Sequence, residues 1–266
     1  MKQQSSFLKK ARKWLDKQNR IVEPVDKVAY FVDSYANYND HHIGWAVLKL
    51  LRANDIEVIL PKQKPAPLPA IVYGDFRRAK KDLEYSIGYL AQAVREGYKI
   101  VCSEPSAALC LKDESKHFVS GPDAEVVADN TYELMSYLNT LADQGGLKKP
   151  DKQIEGEFSY HCPCHLFAIG GGKASIELFK KLCALEVTDL AAGCCGLAGT
   201  FGMQSKNYDL SEEISKPLRN AIAEKGVKNV LTECGACGMQ IEHISQAKAI
   251  HPIKLLYNAY DISNLD

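Results

Sequence analysis

Residues 227–240 read Val-Lys-Asn-Val-Leu-Thr-Glu-Cys-Gly-Ala-Cys-Gly-Met-Gln, a short apolar run that ends at a pair of cysteines. The apolar residues within 227–231 predict a buried β-strand, and a helix is predicted from Gly235 onward. Cys234 and Cys237 therefore lie where a strand ends and a helix begins, so both thiols can face one site. A helix N-terminus also favours the thiolate form of a cysteine. By itself, this pair fits a redox-active dithiol or half of a zinc site equally well.

The same alternation of short apolar strands and amphipathic helices runs through most of the chain. Strands are predicted at 28–32, 56–60, 99–102, 158–161, 186–190 and 227–231. Helices are predicted at 40–52, 75–95, 122–143, 174–182 and 207–224, and further helices begin at Pro105, Gly235 and Pro252. Strands that alternate with helices of this length favour parallel α/β layers, so we predict an α/β fold.

Three further cysteines accompany the pair at 234 and 237. Cys194 and Cys195 are adjacent and flanked by Gly193 and Gly196, and Cys164 follows a predicted strand. Glycine permits backbone angles that let consecutive side chains converge, and it lets N–H groups approach sulfur. Five thiols from three turns exceed the four ligands that a zinc ion usually takes, whereas the irons of an iron–sulfur cluster are held by thiolates. The predicted cluster ligands are Cys164, Cys194, Cys195, Cys234 and Cys237.

Other cysteines and histidines have less specific interpretations. Cys162 lies two residues before Cys164 and is either an alternative ligand or a core thiol. Histidines near the predicted site are candidates for hydrogen-bond donors or proton carriers, or they are ordinary hydrogen-bonded core residues. These histidines are His161, His165 and His243. The cysteines predicted to be small buried hydrophobes are Cys102, Cys110 and Cys183.

The two halves of the chain have similar sequences in the same order, and we expect a repeated architecture. Val28-Ala29-Tyr30 aligns with Phe158-Ser159-Tyr160, and Ile100-Val101 aligns with Val230-Leu231. The predicted segments are an N-terminal basic helix within 1–26, a first half over 27–143, a linker over 144–157 and a second half over 158–266. The five thiols of the second half align with Ser34, Ala66, Pro67, Glu104 and Ala107, so the first half has no equivalent ligands.

Composition excludes several classes of protein. The 266 residues carry a formal net charge of zero, so no overall positive field attracts nucleic acid. Seven of the nine cysteines lie in the C-terminal half, which is unlike a secreted disulfide framework and indicates a reducing compartment. No apolar run is long enough to span a membrane, and no signal peptide is recognisable. A cytoplasmic location is therefore predicted.

The N-terminal segment is predicted to form a basic amphipathic helix over residues 5–20. Its apolar face has helical spacing and is lined by Phe7, Leu8, Ala11, Trp14 and Leu15. Lysine and arginine side chains cover the remaining faces. Such a helix either docks on a partner or a membrane surface, or covers its own domain.

Four motifs of the second half resemble those of the cysteine-rich CCG domain family. They read YHCPCHL at 160–166, GCCGLAGTFG at 193–202, TECGACGMQ at 232–240 and HPI at 251–253. The family includes iron–sulfur subunits of anaerobic glycerol-3-phosphate dehydrogenase and glycolate oxidase, and the B subunit of heterodisulfide reductase. The motifs are also similar to the C-terminal part of FAD-linked oxidases of the D-lactate dehydrogenase type. The resemblance implies tandem CCG domains, the first degenerate.

This resemblance implies an electron-transfer subunit of a flavin-linked dehydrogenase or oxidase that acts on a 2-hydroxy acid or glycerol-3-phosphate. It implies one cluster of the four-iron class, 4Fe-4S in cubane or noncubane form, on the five cysteines named above. The implied partners are an FAD-containing oxidase subunit and a ferredoxin-like iron–sulfur subunit, with a quinone or the inner face of the membrane as a further contact. The ferredoxin-like cysteine runs common in the family are absent from this sequence, and so are cysteine ligands in its first half.

Two alternatives remain open from the sequence. The chain is either a zinc- or dithiol-containing protein, such as a disulfide reductase component, or a scaffold that holds partners together without chemistry. Four thiolates in a tetrahedral arrangement suit zinc as well as iron–sulfur centres, which would leave the fifth cysteine free.

Overall fold

Two parallel β-sheets of four strands each form the frame of the part of the chain that the structure, a computed structural model, describes: residues 6–262. The first sheet has the strand order β2-β1-β3-β4, formed by β1 (Asp26–Phe31), β2 (Ile56–Ile59), β3 (Lys99–Cys102) and β4 (Thr131–Glu133). The second has the order β6-β5-β7-β8, formed by β5 (Phe158–Tyr160), β6 (Val187–Asp189), β7 (Asn229–Leu231) and β8 (Lys248–Ile250). The predicted α/β fold with two repeated parallel-sheet halves is confirmed.

Helices connect the strands in both halves. Those before the second sheet are α1 (Phe7–Leu15), α2 (His41–Ala53), α3 (Leu68–Val72), α4 (Phe76–Arg95), α5 (Pro105–Lys112), α6 (Pro122–Asp129) and α7 (Leu134–Asp143). Those of the second half are α8 (Cys164–Ala168), α9 (Ala174–Cys183), α10 (Tyr208–Glu224), α11 (Gly235–Ile244) and α12 (Pro252–Asn258). A short π-helix, Tyr35–Asn39, follows β1.

The two sheets correspond in register as well as in strand order. Tyr30 pairs with Val101 in the first sheet, and Tyr160 pairs with Leu231 in the second. Each tyrosine hydroxyl then hydrogen-bonds a polar side chain just beyond the neighbouring strand: Tyr30 meets Ser103 at 2.7 Å, and Tyr160 meets Glu233 at 3.0 Å. The sequence alignment of the two halves therefore describes real structural equivalence.

Each half places its last helix against the other half. Helix α7 of the first half packs on α9 of the second, and α12 of the second packs on α2 of the first. One apolar core consequently contains residues from both halves, including Leu51, Leu138, Leu178 and Leu256, all fully buried. Burial of such side chains stabilises the association of the halves by about 1.5–3 kcal/mol for each large residue.

Helix α1 belongs to this core. Phe7 and Ala11 are fully buried, and the Phe7 ring meets the ring of Trp45 edge to face with centroids 5.2 Å apart. The Arg12 guanidinium donates to the carbonyl of Pro61 at 2.7 Å. The helix ends at Leu15, earlier than the predicted residue 20, and residue 5 lies outside the described residues. The apolar face of α1 therefore covers its own domain, while Lys9, Lys10 and Lys13 remain exposed.

The prediction of one helix over 122–143 was wrong. Residues 131–133 instead form β4, the edge strand of the first sheet, which pairs with β3. Thr131 and Glu133 are buried while Tyr132 is exposed, as alternation along a strand requires. Three residues are too few to reveal this period in the sequence. Within the described residues, no helix combines the length and apolar character needed to cross a bilayer.

Candidate metal centre

The five predicted ligand thiols follow three neighbouring strands of the second sheet. Cys164 begins α8 after β5, and Cys194 and Cys195 lie in the loop after β6. Cys234 is the residue before α11, after β7, and Cys237 lies within that helix. Because β5, β6 and β7 are parallel neighbours, their carboxyl ends meet at one edge of the sheet, where ligands of open α/β sheets bind.

The structure brings the five thiols into one connected set. The sulfur atoms of Cys195 and Cys237 are 3.2 Å apart. The thiols of Cys164 and Cys194, of Cys194 and Cys195, and of Cys234 and Cys237 are also close enough to shift one another's pKa. Cys195 and Cys237 are buried, whereas Cys164 and Cys194 are exposed, so the set runs from the interior to the surface.

Close packing against α10 fixes the backbone of the double-cysteine turn. Gly196 has a φ of +90°, and a Cβ atom there would lie 2.2 Å from the carbonyl oxygen of Ser211. The Gly196 N–H is free of this contact and donates to the sulfur of Cys194 at 3.3 Å. Only glycine supplies both the backbone angle and the room, so the Gly-Cys-Cys-Gly sequence is needed for the turn itself.

Hydrogen bonds within the set polarise the thiols. The pKa of Cys194 falls to about 2 because the thiols of Cys164 and Cys195 donate to it. The pKa of Cys234 falls to about 6, chiefly through the thiol of Cys237. The bond to Cys194 raises the pKa of Cys195 to about 12, and the bonds to Cys195 and Cys234 raise the pKa of Cys237. Metal cations would displace the thiol protons of these five closely spaced cysteines, since metal binding deprotonates its thiol ligands.

Buried polar atoms without partners lie beside the thiols. Both ring nitrogens of His161 and the hydroxyl oxygen of Thr232 are buried and make no hydrogen bond. Burial lowers the pKa of His161 to about 4, although the thiolate of Cys194 opposes that shift. An unsatisfied buried donor costs about 1–3 kcal/mol, so a bound group that accepts hydrogen bonds from these residues would stabilise the site. Cluster sulfides and thiolates accept such hydrogen bonds, and the site therefore fits an iron–sulfur group.

Space is also available at this edge. A cavity of about 450 Å³ is lined by Cys162, Cys164, Gly193 and Cys194, among others. A side chain at Gly193 would meet no atom within 4 Å. Among the described residues, no three His, Cys, Asp or Glu side chains are already arranged around one point as ligands of a metal ion. Of the five thiols, Cys164 and Cys194 line this cavity.

Among the remaining predicted residues, Cys162 lies at the cavity, whereas His243 and the cysteines predicted to be buried hydrophobes do not line it. Cys162 lines the cavity, is half-buried and donates to the carbonyl of Pro163 at 3.6 Å. His243 lies away from the thiols and contacts the hydroxyl of Tyr208 at 2.8 Å. Cys102 and Cys110 are fully buried, as predicted, whereas Cys183 is half-buried, and none of the nine cysteines forms a disulfide.

Sequence reasoning missed two contributions from the first half. Glu104 accepts a hydrogen bond from the backbone N–H of Gly235 at 3.0 Å, and it contributes to lowering the pKa of Cys234. The ring of Tyr35 lies against Gly235, where an added Cβ would meet it at 2.5 Å. One signal did exist, because the alignment of the halves places Glu104 opposite Cys234.

Comparison with known proteins agrees with this geometry. Residues 158–242 match the family model of the cysteine-rich domain CCG. Residues 158–242 are thus similar to the cysteine-rich CCG domain, and the resemblance seen in the motifs is confirmed.

Relatives match most of this chain. The C subunit of anaerobic glycerol-3-phosphate dehydrogenase from Escherichia coli strain K12 is 32% identical over 236 residues, which are 88% of this chain and 59% of that protein. Lactate utilization protein A of a Geobacillus species is 26% identical, over 88% of this chain and 97% of the relative. An uncharacterized iron-sulfur protein of Methanocaldococcus jannaschii is 25% identical, over 81% and 41%. The donor set, the CCG domain and these relatives together support an iron–sulfur cluster.

Proposed function

We propose that this chain is the electron-transfer iron–sulfur subunit of a flavin-linked dehydrogenase or oxidase. It carries one four-iron cluster on Cys164, Cys194, Cys195, Cys234 and Cys237. The observation that carries the proposal is the single connected set of five thiols at the carboxyl ends of β5, β6 and β7. In this proposal residues 158–266 form the cluster-binding repeat, 144–157 the linker and 27–143 a repeat without ligands.

The relatives supply the class of reaction. One is named as a subunit of anaerobic glycerol-3-phosphate dehydrogenase and another as a lactate utilization protein. The chain spans 59% of the length of the first, so the substrate, the flavin partner and a ferredoxin-like partner are all parts of the proposal. The proposal also includes a cytoplasmic location for the protein. A quinone or the inner face of the membrane is its further contact.

The residues of this chain would have separate tasks. Thiolates hold the cluster, which supplies reversible one-electron transfer when bound. The N–H of Gly196 donates to the sulfur of Cys194 and stabilises its negative charge. Burial lowers the pKa of His161 to about 4, so its ring would be neutral near pH 7 and its N–H would donate to a bound cluster without adding a full charge. Burial of Cys195 and Cys237 keeps water from the inner ligands.

Metal and sulfide analysis tests the proposal. Protein purified without oxygen should contain about four irons and four acid-labile sulfides per chain, with a redox-dependent EPR signal. Cys194→Ser and Cys237→Ser should each reduce iron content and change that signal. Cys183→Ser is the matched control, since this thiol lies at the end of α9, outside the connected set, and should leave both readings unchanged.

A different metal would refute the proposal. One zinc per chain, without sulfide, would leave a zinc or dithiol protein. Full iron and sulfide content in the Cys194→Ser and Cys237→Ser proteins would remove these cysteines from the ligand set. Cys162→Ser decides whether Cys162, which lines the same cavity, takes part.

A further inference from the structure

The start of α11 is built from both halves of the chain. Helix α11 carries Cys237, and Cys234 is the residue just before it. The backbone N–H of Gly235, the first residue of the helix, would have no partner within the helix itself. It donates instead to Oε2 of Glu104, 131 residues earlier in the sequence, at 3.0 Å.

Glu104 is held by several bonds at once. Its Oε1 accepts from the hydroxyl of Ser106 at 3.3 Å, while Oε2 accepts from Gly235. The carboxyl group also lies close enough to Cys234 for that thiol to raise the pKa of Glu104, to which burial contributes most. Its backbone carbonyl accepts from the N–H groups of Ala107 and Ala108 in the first turn of α5. Glu104 therefore fixes two helix starts, one in each half.

Glu104 and Cys234 occupy equivalent places. Each is the residue just before the helix that follows the third strand of its half. The first half has no thiol at this position and carries instead a carboxyl group that reaches the backbone N–H next to the equivalent cysteine, across the interface. A residue without a ligand role of its own thus acts on a ligand.

We infer that Glu104 is a positioning residue for the metal centre: its carboxyl group fixes the start of α11 and with it the position of Cys234, the residue just before that helix. This inference rests on the proposed function for its consequence on a bound cluster, but the contact itself exists without one. The first half is accordingly a working part of the site. Tyr35, whose ring lies against Gly235, closes the same position from a second direction.

The first test is amide hydrogen exchange in cluster-free protein. Glu104→Ala should accelerate exchange of the Gly235 amide at least about tenfold, because its acceptor is gone. Glu104→Gln keeps an acceptor oxygen and should retain protection. Asp75→Ala is the matched control, since Asp75 caps α4 through the N–H of Arg78 within the first half. Unchanged exchange at Gly235 in Glu104→Ala would overturn the inference.

The second test uses cluster-loaded protein. Glu104→Ala should alter the EPR line shape and move the reduction equilibrium about tenfold, which is 59 mV for a one-electron couple. Asp75→Ala should change neither, and Glu104→Gln should lie close to wild type. If Glu104→Ala does not fold, Glu104→Asp, whose shorter side chain withdraws from Gly235, replaces it in both tests.

The outcomes separate the two proposals. Wild-type protein that takes up no iron and sulfide refutes the proposed function, while the exchange of Gly235 still decides the contact. Wild-type protein with a cluster whose EPR signal and potential are the same in Glu104→Ala refutes only the role of Glu104. A Glu104→Gln protein that behaves like Glu104→Ala in both tests would also overturn positioning by this hydrogen bond.

Discussion

Gly196 is the position at which one added methyl group tests the geometry of the double-cysteine turn. Its φ is +90°, and an added Cβ would lie 2.2 Å from the carbonyl oxygen of Ser211 and 3.2 Å from the carbonyl carbon. Both contacts are with the backbone of α10, so no flexible side chain can move aside. Gly196→Ala must therefore displace either the turn or the first turns of α10.

The expected cost has two parts. A left-handed backbone costs an L-residue about 1–2 kcal/mol, and forcing a methyl group into a packed region costs about 1–3 kcal/mol. We expect Gly196→Ala to lower the free energy of unfolding by about 2–5 kcal/mol. The displacement should also pull the Gly196 N–H away from the sulfur of Cys194, which now lies at 3.3 Å.

Urea denaturation of cluster-free protein measures the first effect, and iron content after reconstitution measures the second. Gly193→Ala is the matched control, because Gly193 flanks the same cysteine pair and a side chain there meets no atom within 4 Å. The control should lose no more than about 0.5 kcal/mol, the usual limit for a substitution without contacts. Equal stability of the two variants would refute the proposed packing of the turn on α10.

Three further predictions concern separate parts of the chain. Phe7→Ala should lower the free energy of unfolding by about 3–5 kcal/mol because Phe7 is fully buried. Lys10→Glu, on the exposed face of α1, should change it by less than about 0.5 kcal/mol. Urea denaturation measures both effects. Burial raises the pKa of Glu133 from 4.5 to about 7, so the folded state holds a proton that the unfolded state releases. The contribution of Glu133 to the stability of cluster-free protein should therefore fall between pH 4.5 and 7, by about 3 kcal/mol at most. Glu133→Gln should reduce that slope, and Glu233, whose pKa is raised to about 8, should account for the slope that remains. His161→Ala should remove two buried unsatisfied nitrogen atoms and change the cluster potential, and a potential equal to wild type would contradict a hydrogen bond from His161 to the cluster.

The sequence was sufficient to predict the repeated architecture of the two halves and the location of the cysteines after the ends of strands. The cysteines converge because each group follows a strand of one parallel sheet, and the motif spacing already implied this. Strands β4 and β8 were not predicted, since three residues at a sheet edge carry too little pattern. The role of Glu104 could not be predicted, because it depends on how the halves pack across 131 residues of sequence. Which of the thiols bind metal stays a prediction.

Each half packs its last helix against the other half, and this arrangement sets the order in which the molecule assembles. Helix α12 packs on α2, and Lys254 pairs with Asp40 at 2.9 Å, 214 residues earlier. A nascent chain still lacking α12 leaves the apolar side of α2 open to solvent and to chaperones, even after the first sheet has formed. Closure of the molecule therefore waits for the C-terminal end of the second half, and a ribosome-bound fragment that ends before residue 252 should remain aggregation-prone.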